Sequence, residues 1–334
     1  MSSLEFNKEK YNLFRNGVTV YDRSHLGKLL LMGNDRIDLL NRLCATDLRF
    51  VENGKSSYAL LTTEKGRVID LLFYLHGSEE SFLITGAGNG NRVFDWINKF
   101  TFTEDITIED VSHNYNILLL TGKEPERLLT KLGIDAAILR CGSFISVNLK
   151  NIPVIIFMDM FGINIMTKTD YYCGLNKILT YEGAEYQLSD IGDDVFEGIR
   201  IERGVPLFNH EIKEDFNPLE LGLKKYIDFS KGCYPGQEVV LRLDSQNKVK
   251  RELCGLVFHN LSYDERIKMD DQPGIYINEK KVGLVTSIGC SFEMYSYIGL
   301  CLLDKEYARD GLTVLVDCMN SKKEAHITKL SDKV

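Results

Sequence analysis

The sequence predicts an α+β fold: antiparallel sheets with helices, followed by a small C-terminal antiparallel β-barrel. Three observations predict it. Strand-like and helix-like runs alternate through the first two thirds of the chain without the long parallel β-helix-β runs of a doubly wound sheet. From Leu253 onward only short strands separated by turns recur, the spacing of a small barrel. The 334 residues, 44% apolar and 26% charged, suffice for two or three globular domains with a sizeable core.

Residues 1–20 read as a short helix followed by a strand. Tyr21–Lys28 leads into the apolar strand Leu29–Met32. Gly33-Asn34-Asp35 supplies a turn and an N-cap, and Arg36–Leu43 reads as a helix with Ile37, Leu40 and Leu43 on one stripe. Tyr58–Thr62 and Val68–Leu75 are strands joined by the hairpin turn Glu64-Lys65-Gly66-Arg67. Ser81–Thr85 is a strand, then a turn over Gly86–Asn91 enters a helix from Arg92 to Phe100. The glycines of that turn are one residue out of step with GxGxxG, and no clear βαβ unit surrounds them, so a flexible strand-to-helix turn is expected rather than a dinucleotide site. Strands follow at 115–120, 144–149 and 153–159. Helices follow at Pro125–Leu132, with Pro near the first turn, and at about 171–181. Gly198–Pro206 alternates isoleucine with charge; an extended segment would put Arg200 and Glu202 on one face, and a helix would part them. The barrel strands are expected at 253–258, 274–277, 281–287, 297–303 and 312–318.

The net charge of −8 argues against generic binding to nucleic acid or to an anionic membrane. No apolar run approaches membrane-spanning length, and the first ten residues lack a signal-peptide core, so a cytoplasmic protein is expected. Eight cysteines occur with no CxxC, and no metal-ligand cluster is visible, so no bound metal is expected. Most cysteines read as small buried hydrophobes. Cys233 differs, because its flanks are polar and flexible.

Cys233 sits in the most chemically varied stretch of the chain, Lys231-Gly232-Cys233-Tyr234-Pro235-Gly236-Gln237-Glu238. A cation, a thiol, a phenol, an amide and a carboxylate are hinged there by two glycines and a proline. Beyond it, Val239–Leu243 is an apolar run fit to anchor the loop to a packed element. A thiol beside Lys231 would have a lowered pKa; the plainer alternative is a half-buried inert thiol. Asp70 is the only charge in its apolar strand, which suits either a paired, functional carboxylate or an edge-strand Asp facing water.

The octet resembles the KGCYxGQE motif of the YgfZ family, folate-binding relatives of the aminomethyltransferase (T-protein) of the glycine cleavage system. Asp22, Ser24, His25 and Gly27, then Gly33, Asp35, Leu40, Thr46 and Asp47, follow two further family segments in order. Arg200, Glu202 and Gly204 match R-x-E-x-G, Asn217–Leu223 is similar to P-x-E-x-G-L, and Lys281–Ser287 is similar to a strand of the family's barrel. The likeness runs from about Asp22 to Val316. It implies a three-module, cloverleaf-like arrangement around a central opening. Residues 1–250 would form the folate-binding region (modules roughly 1–110 with 190–250, and 111–190), and residues 251–334 the barrel.

The implied ligand is tetrahydrofolate or a one-carbon-substituted form. Glu202 would accept two hydrogen bonds from the pterin edge, its alternative being an ion pair with Arg200 or Arg203. Tyr58 and Tyr234 would wall the flat ring system. Lys231 and Arg242 would meet the anionic tail, and Gln237 completes the set carried over from the octet. Asp70 would face the reactive folate nitrogens, although that match needs one residue deleted after Gly66, and an ungapped alignment puts Leu71 there. An Asn that helps hold folate in the glycine cleavage enzymes, at about Gly86, is missing. His25 reads as satisfied by local hydrogen bonds. Two functions stand: a folate-binding accessory protein for assembly or repair of iron–sulfur enzymes, with those proteins or their assembly factors as partners and Cys233 at work; or a tetrahydrofolate-dependent aminomethyl or one-carbon transferase, with Asp70 steering the folate.

Overall fold

The computed structural model describes residues 3–140, 142–262, 272–318 and 321–330, with side chains from Asn7 onward; Cys141 lies outside them. In chain order the elements are α1 (Ser3–Asn16), β1 (Val18–Asp22), β2 (Gly27–Met32), α2 (Arg36–Leu43), β3 (Lys55–Thr62), β4 (Val68–His76), β5 (Glu80–Thr85), α3 (Gly90–Lys99), β6 (Thr107–Asp110) and β7 (Tyr115–Gly122). Then come α4 (Glu126–Lys131), α5 (Ala137–Arg140), β8 (Ile145–Leu149), β9 (Ile152–Asp159), β10 (Gly162–Lys168), α6 (Tyr172–Gly183), β11 (Ser189–Asp190), α7 (Asp193–Glu202) and α8 (Gln237–Ser245). Last are β12 (Arg251–Phe258), β13 (Gly274–Ile277), β14 (Lys280–Ser291), β15 (Ser296–Asp304), β16 (Thr313–Cys318) and β17 (Ser321–Thr328). The α+β class holds, with a closed six-stranded barrel at the C-terminal end. No helix among the described residues is long and apolar enough to cross a membrane.

Two compact units divide the chain. The first comprises Met1–Thr62, Ile69–Gly192 and Tyr226–Pro235; the second comprises Thr63–Val68, Asp193–Lys225 and Gly236–Val334.

The first unit holds a five-stranded sheet, β3-β4-β5-β2-β6, and a six-stranded sheet, β11-β1-β7-β10-β9-β8. Strand β4 buries both faces. Leu72 and Tyr74 join the core that includes α2 and α3 residues Leu39, Leu40, Val93 and Ile97. Phe73 and Leu75 join a second core with Ile117, Phe157 and Met166 of the other sheet. A strand covered on both sides reads as an unbroken apolar run, as this one does. Strand β10 was not expected. Its pattern is interrupted by Asn164, which is nevertheless fully buried, because Arg23 Nη1 donates to its Oδ1 at 2.9 Å. A buried amide is tolerated when its polar atoms are satisfied.

In the second unit the barrel order is β12-β15-β14-β13-β16-β17. The missed strand, β17, is highly charged at its start and closes the ring between β16 and β12. The Gly198–Pro206 segment is no extended run: α7 carries it through Glu202, with Asp193 and Asp194 in the first turn, where carboxylates suit the helix dipole. Glycines let α7 lie on β14. A Cβ at Gly198 would fall 2.3 Å from the carbonyl oxygen of Cys290, and Gly289 faces Gly198 from the strand.

Candidate functional site

In the first unit the octet begins by docking onto the end of α2. The stretch from Tyr226 to Lys231 lies along residues 41–46. Thr46 Oγ1 donates to Tyr226 O at 2.6 Å, and Asp228 N donates to Ala45 O at 2.9 Å. Lys231 is buried, and its ammonium donates to Asn41 O (2.5 Å), Asn41 Oδ1 (3.1 Å), Cys44 O (2.7 Å) and Thr46 O (2.8 Å). Carbonyls of the last helical turn have no partner within the helix, and the cation meets them there. Burial lowers the pKa of this amine. Lys231 thus directs its ammonium at the oxygens of residues 41–46, a brace that sequence reasoning did not offer it.

Tyr234 is also buried, with Lys231 Nζ 5.9 Å from its ring centre, and burial pushes its phenol up to about 12. Thr62 Oγ1 donates to Pro235 O at 2.7 Å, tying down the end of the turn. Between these anchors Cys233 is a free, exposed thiol, which sets aside the half-buried alternative.

Asp70 is not a water-facing edge residue. Its strand lies between β3 and β5, and the side chain is 1% exposed. Oδ2 accepts from Gly86 N and Asn89 Nδ2, both at 2.8 Å, and Oδ1 accepts from Leu71 N at 2.8 Å. Burial pushes the carboxyl up to about 6, against the pull of these three donors. A carboxylate has about four acceptor positions; Asp70 uses two to hold the Gly86–Asn89 turn and a third on Leu71 N of its own strand. Asn89, which sequence reasoning passed over, is the side chain that ties that turn to β4; it also donates to Ile69 O at 3.2 Å.

Tyr58 lies in an aromatic group that the sequence hid. Its ring centre is 4.9 Å from Phe73 and 5.2 Å from Tyr226, and Phe73 stacks on Phe157 at 5.4 Å. Its hydroxyl accepts from Met160 N at 3.0 Å. Close by in the chain, Arg23 pairs with Asp159 and lies 5.0 Å from the Phe161 ring centre. The signal for Tyr226 was present, since it is the aromatic residue five positions before Lys231, but nothing in the spacing linked it to Tyr58.

In the second unit Gly236 takes φ +84°, and a Cβ there would lie 2.3 Å from Thr63 O, so only glycine fits. Gln237 opens α8, and Arg242 lies on its exposed face. Glu202 ends α7, and its Oε1 accepts from Ser291 Oγ at 2.6 Å. The helix parts it from Arg200, whose buried guanidinium meets Glu197, Glu211, Val205 O (2.6 Å) and Ser287 Oγ (2.7 Å). The R-x-E pattern thus contains one internal brace and one partly exposed carboxylate. Glu220 is a brace too, taking both arms of Arg251 at 2.9 and 3.2 Å.

The GCVT N-terminal domain matches residues 3–231, and the glycine cleavage T-protein C-terminal barrel domain matches residues 251–331. An aminomethyltransferase of Listeria welshimeri is 28% identical over 331 residues, covering 96% of this chain and 88% of that protein. One from Thermoanaerobacter sp. is 25% identical, covering 95% and 87%. A putative chloroplastic transferase of Arabidopsis thaliana is 27% identical, covering 95% and 72%. The fold is similar to the crystal structure of aminomethyltransferase T of the glycine cleavage system from Bartonella henselae, at a TM-score of 0.83 and 18% identity, over 97% of this chain and 88% of that one. These likenesses back the transferase reading better than the iron–sulfur accessory reading. The chain belongs to the glycine cleavage T-protein family, with both the N-terminal domain and the C-terminal barrel domain present.

Proposed function

We propose that this protein binds a reduced folate and transfers a one-carbon unit to or from it, as a tetrahydrofolate-dependent aminomethyltransferase or a near relative. The observation that carries this reading is the match to a protein of that name over 96% of this chain and 88% of that protein, spanning both family domains. Side chains suited to such a ligand are present. The Tyr58–Phe73–Tyr226 group offers flat apolar faces on which a pterin or benzoyl ring stacks. Glu202 offers a partly exposed carboxylate able to accept from two neighbouring ring donors. Tetrahydrofolate would supply the carrier nitrogens; the protein's residues would hold and orient it. Asp70 acts in this reading through the turn it braces, and Arg242 and Gln237 through their positions on α8.

Calorimetric titration with tetrahydrofolate, followed by turnover with an aminomethyl or methyl donor, tests it. Binding with turnover is expected. Absence of folate binding refutes the proposal.

A second reading, a folate-binding accessory protein for iron–sulfur enzymes, is favoured by one observation: Cys233 is an exposed thiol on a turn whose neighbours are anchored. Cys233→Ala that binds folate but fails to complement in cells, in a protein without turnover, would select it.

A further inference from the structure

The outer wall of the barrel carries a cluster that the proposed folate chemistry does not use. Strands β12 and β17 run antiparallel, with Val257 opposite His326 and Phe258 opposite Ala325. The N–H of His259, the residue after β12, donates to Glu324 O at 3.0 Å, which carries the ladder one pair further. Side chains alternate between faces along a strand. Phe258, Ala325 and Ile327 fill the barrel core, so His259, Glu324 and His326 project from the outside. His259 stands across from Glu324 and diagonal to His326, within reach of long side chains.

The side chains have in fact converged. One ligand atom from each of His259, Glu324 and His326 lies within 4.8 Å of the other two. The two imidazoles meet edge to face, with ring centres 4.2 Å apart. Thr313, opposite His326 on β16, places Oγ1 3.0 Å from His326 Nδ1.

We propose that His259, Glu324 and His326 form a binding site for a borderline divalent transition-metal ion of the Zn2+ class. Two imidazoles and one carboxylate suit such ions, whereas Ca2+ and Mg2+ take oxygen ligands. In the tautomer whose Nδ1–H donates to Thr313 Oγ1, His326 presents the lone pair of Nε2 to the ion, the outer-shell support that metal-bound histidines commonly have. Ligand atoms at the usual bond lengths of about 2.0–2.2 Å around a tetrahedral ion lie roughly 3.3–3.6 Å apart. The cluster closes to that spacing by a movement of at most about 1.5 Å, which the exposed His259 and Glu324 can make by side-chain rotation. Three protein ligands leave one position for water or an outside donor. The only trace in the sequence is Glu324-Ala325-His326, two ligands on one strand face; the third lies 65 residues earlier.

The test is calorimetric titration of the full chain with ZnCl2, repeated on His259→Ala and His326→Ala. One equivalent of Zn2+ should bind the wild type, with affinity at least about tenfold lower in each variant. Both histidines lie outside the barrel core, so the variants should melt with the wild type in the absence of metal. Zn2+ should raise the melting temperature of the wild type alone. A Cys173→Ser/Cys233→Ser variant, lacking the two exposed thiols among the described residues, should retain binding, and the Co2+ form should show no thiolate-to-metal charge-transfer band. No binding heat, binding that survives both histidine substitutions, or binding lost with the thiols would overturn the proposal.

Discussion

Replacing Lys231 with methionine removes a buried ammonium while keeping most of the side-chain volume. Three backbone carbonyls, Asn41 O, Cys44 O and Thr46 O, and the amide oxygen of Asn41 lose their donor. Asn41 Oδ1 keeps a second partner, Leu48 N at 2.9 Å. The loss therefore falls on three carbonyls, at about 1 kcal/mol each or more for a charge-assisted bond left unmade. Removing a cation from the end of α2 adds up to about 1 kcal/mol. Relief from burying the charge returns part of this, and it is the same burial that lowers the amine's pKa. The net expectation is a destabilisation of about 3 kcal/mol. For a unit of this size that corresponds to a fall in melting temperature of roughly 6–12 °C. Urea and thermal unfolding measure it, and tetrahydrofolate titration on the same preparation gives the second readout. A Lys231→Met protein as stable as the wild type, but unable to bind folate, would refute the argument and return this lysine to the anionic tail of the ligand.

Three further outcomes follow from the geometry. Asp70 has a folded pKa of about 6 against an ordinary 3.8, so its contribution to stability is fully present below pH 3.8 and is lost as pH rises through 6. The stability of Asp70→Asn relative to wild type should therefore improve by up to about 3 kcal/mol between pH 3.5 and pH 7; a difference that stays flat with pH would contradict it. Gly198→Ala should destabilise by about 2–3 kcal/mol despite alanine's better helix propensity, because the new methyl meets the Cys290 carbonyl; unchanged chemical denaturation would show that α7 can lift off β14 without cost. Tyr234→Phe should change stability by less than about 1 kcal/mol, since the buried hydroxyl has no hydrogen-bond partner among the described residues; a loss of several kcal/mol would mean that the phenol is held by something else.

Elements with a strong period were legible. Arg36–Leu43 begins and ends as its apolar stripe and Asn34-Asp35 imply, and the strands from Leu253 to Cys318 form five of the six staves of a barrel as their spacing suggests. Segments whose burial depends on distant partners were not. Asn164 looks like a strand breaker until Arg23 is placed beside it, and β17 looks like a charged tail until β12 and β16 flank it. Gly198–Glu202 alternates like a strand, yet glycine at the contact with β14 and acids in the first turn favour a helix. The octet stood out in the sequence as a dense cluster of chemistry. It could not say that Lys231 turns inward, because the oxygens that draw it there come from residues 41–46, far away in sequence.

Because the first unit includes Tyr226–Pro235, a ribosome that has released only the first 192 residues has made both of its sheets but not their last clasp. The oxygens at the end of α2 wait for a cation encoded almost two hundred residues downstream. A truncation placed at residue 192, tidy on paper, would discard the peg that locks the fragment it was meant to isolate.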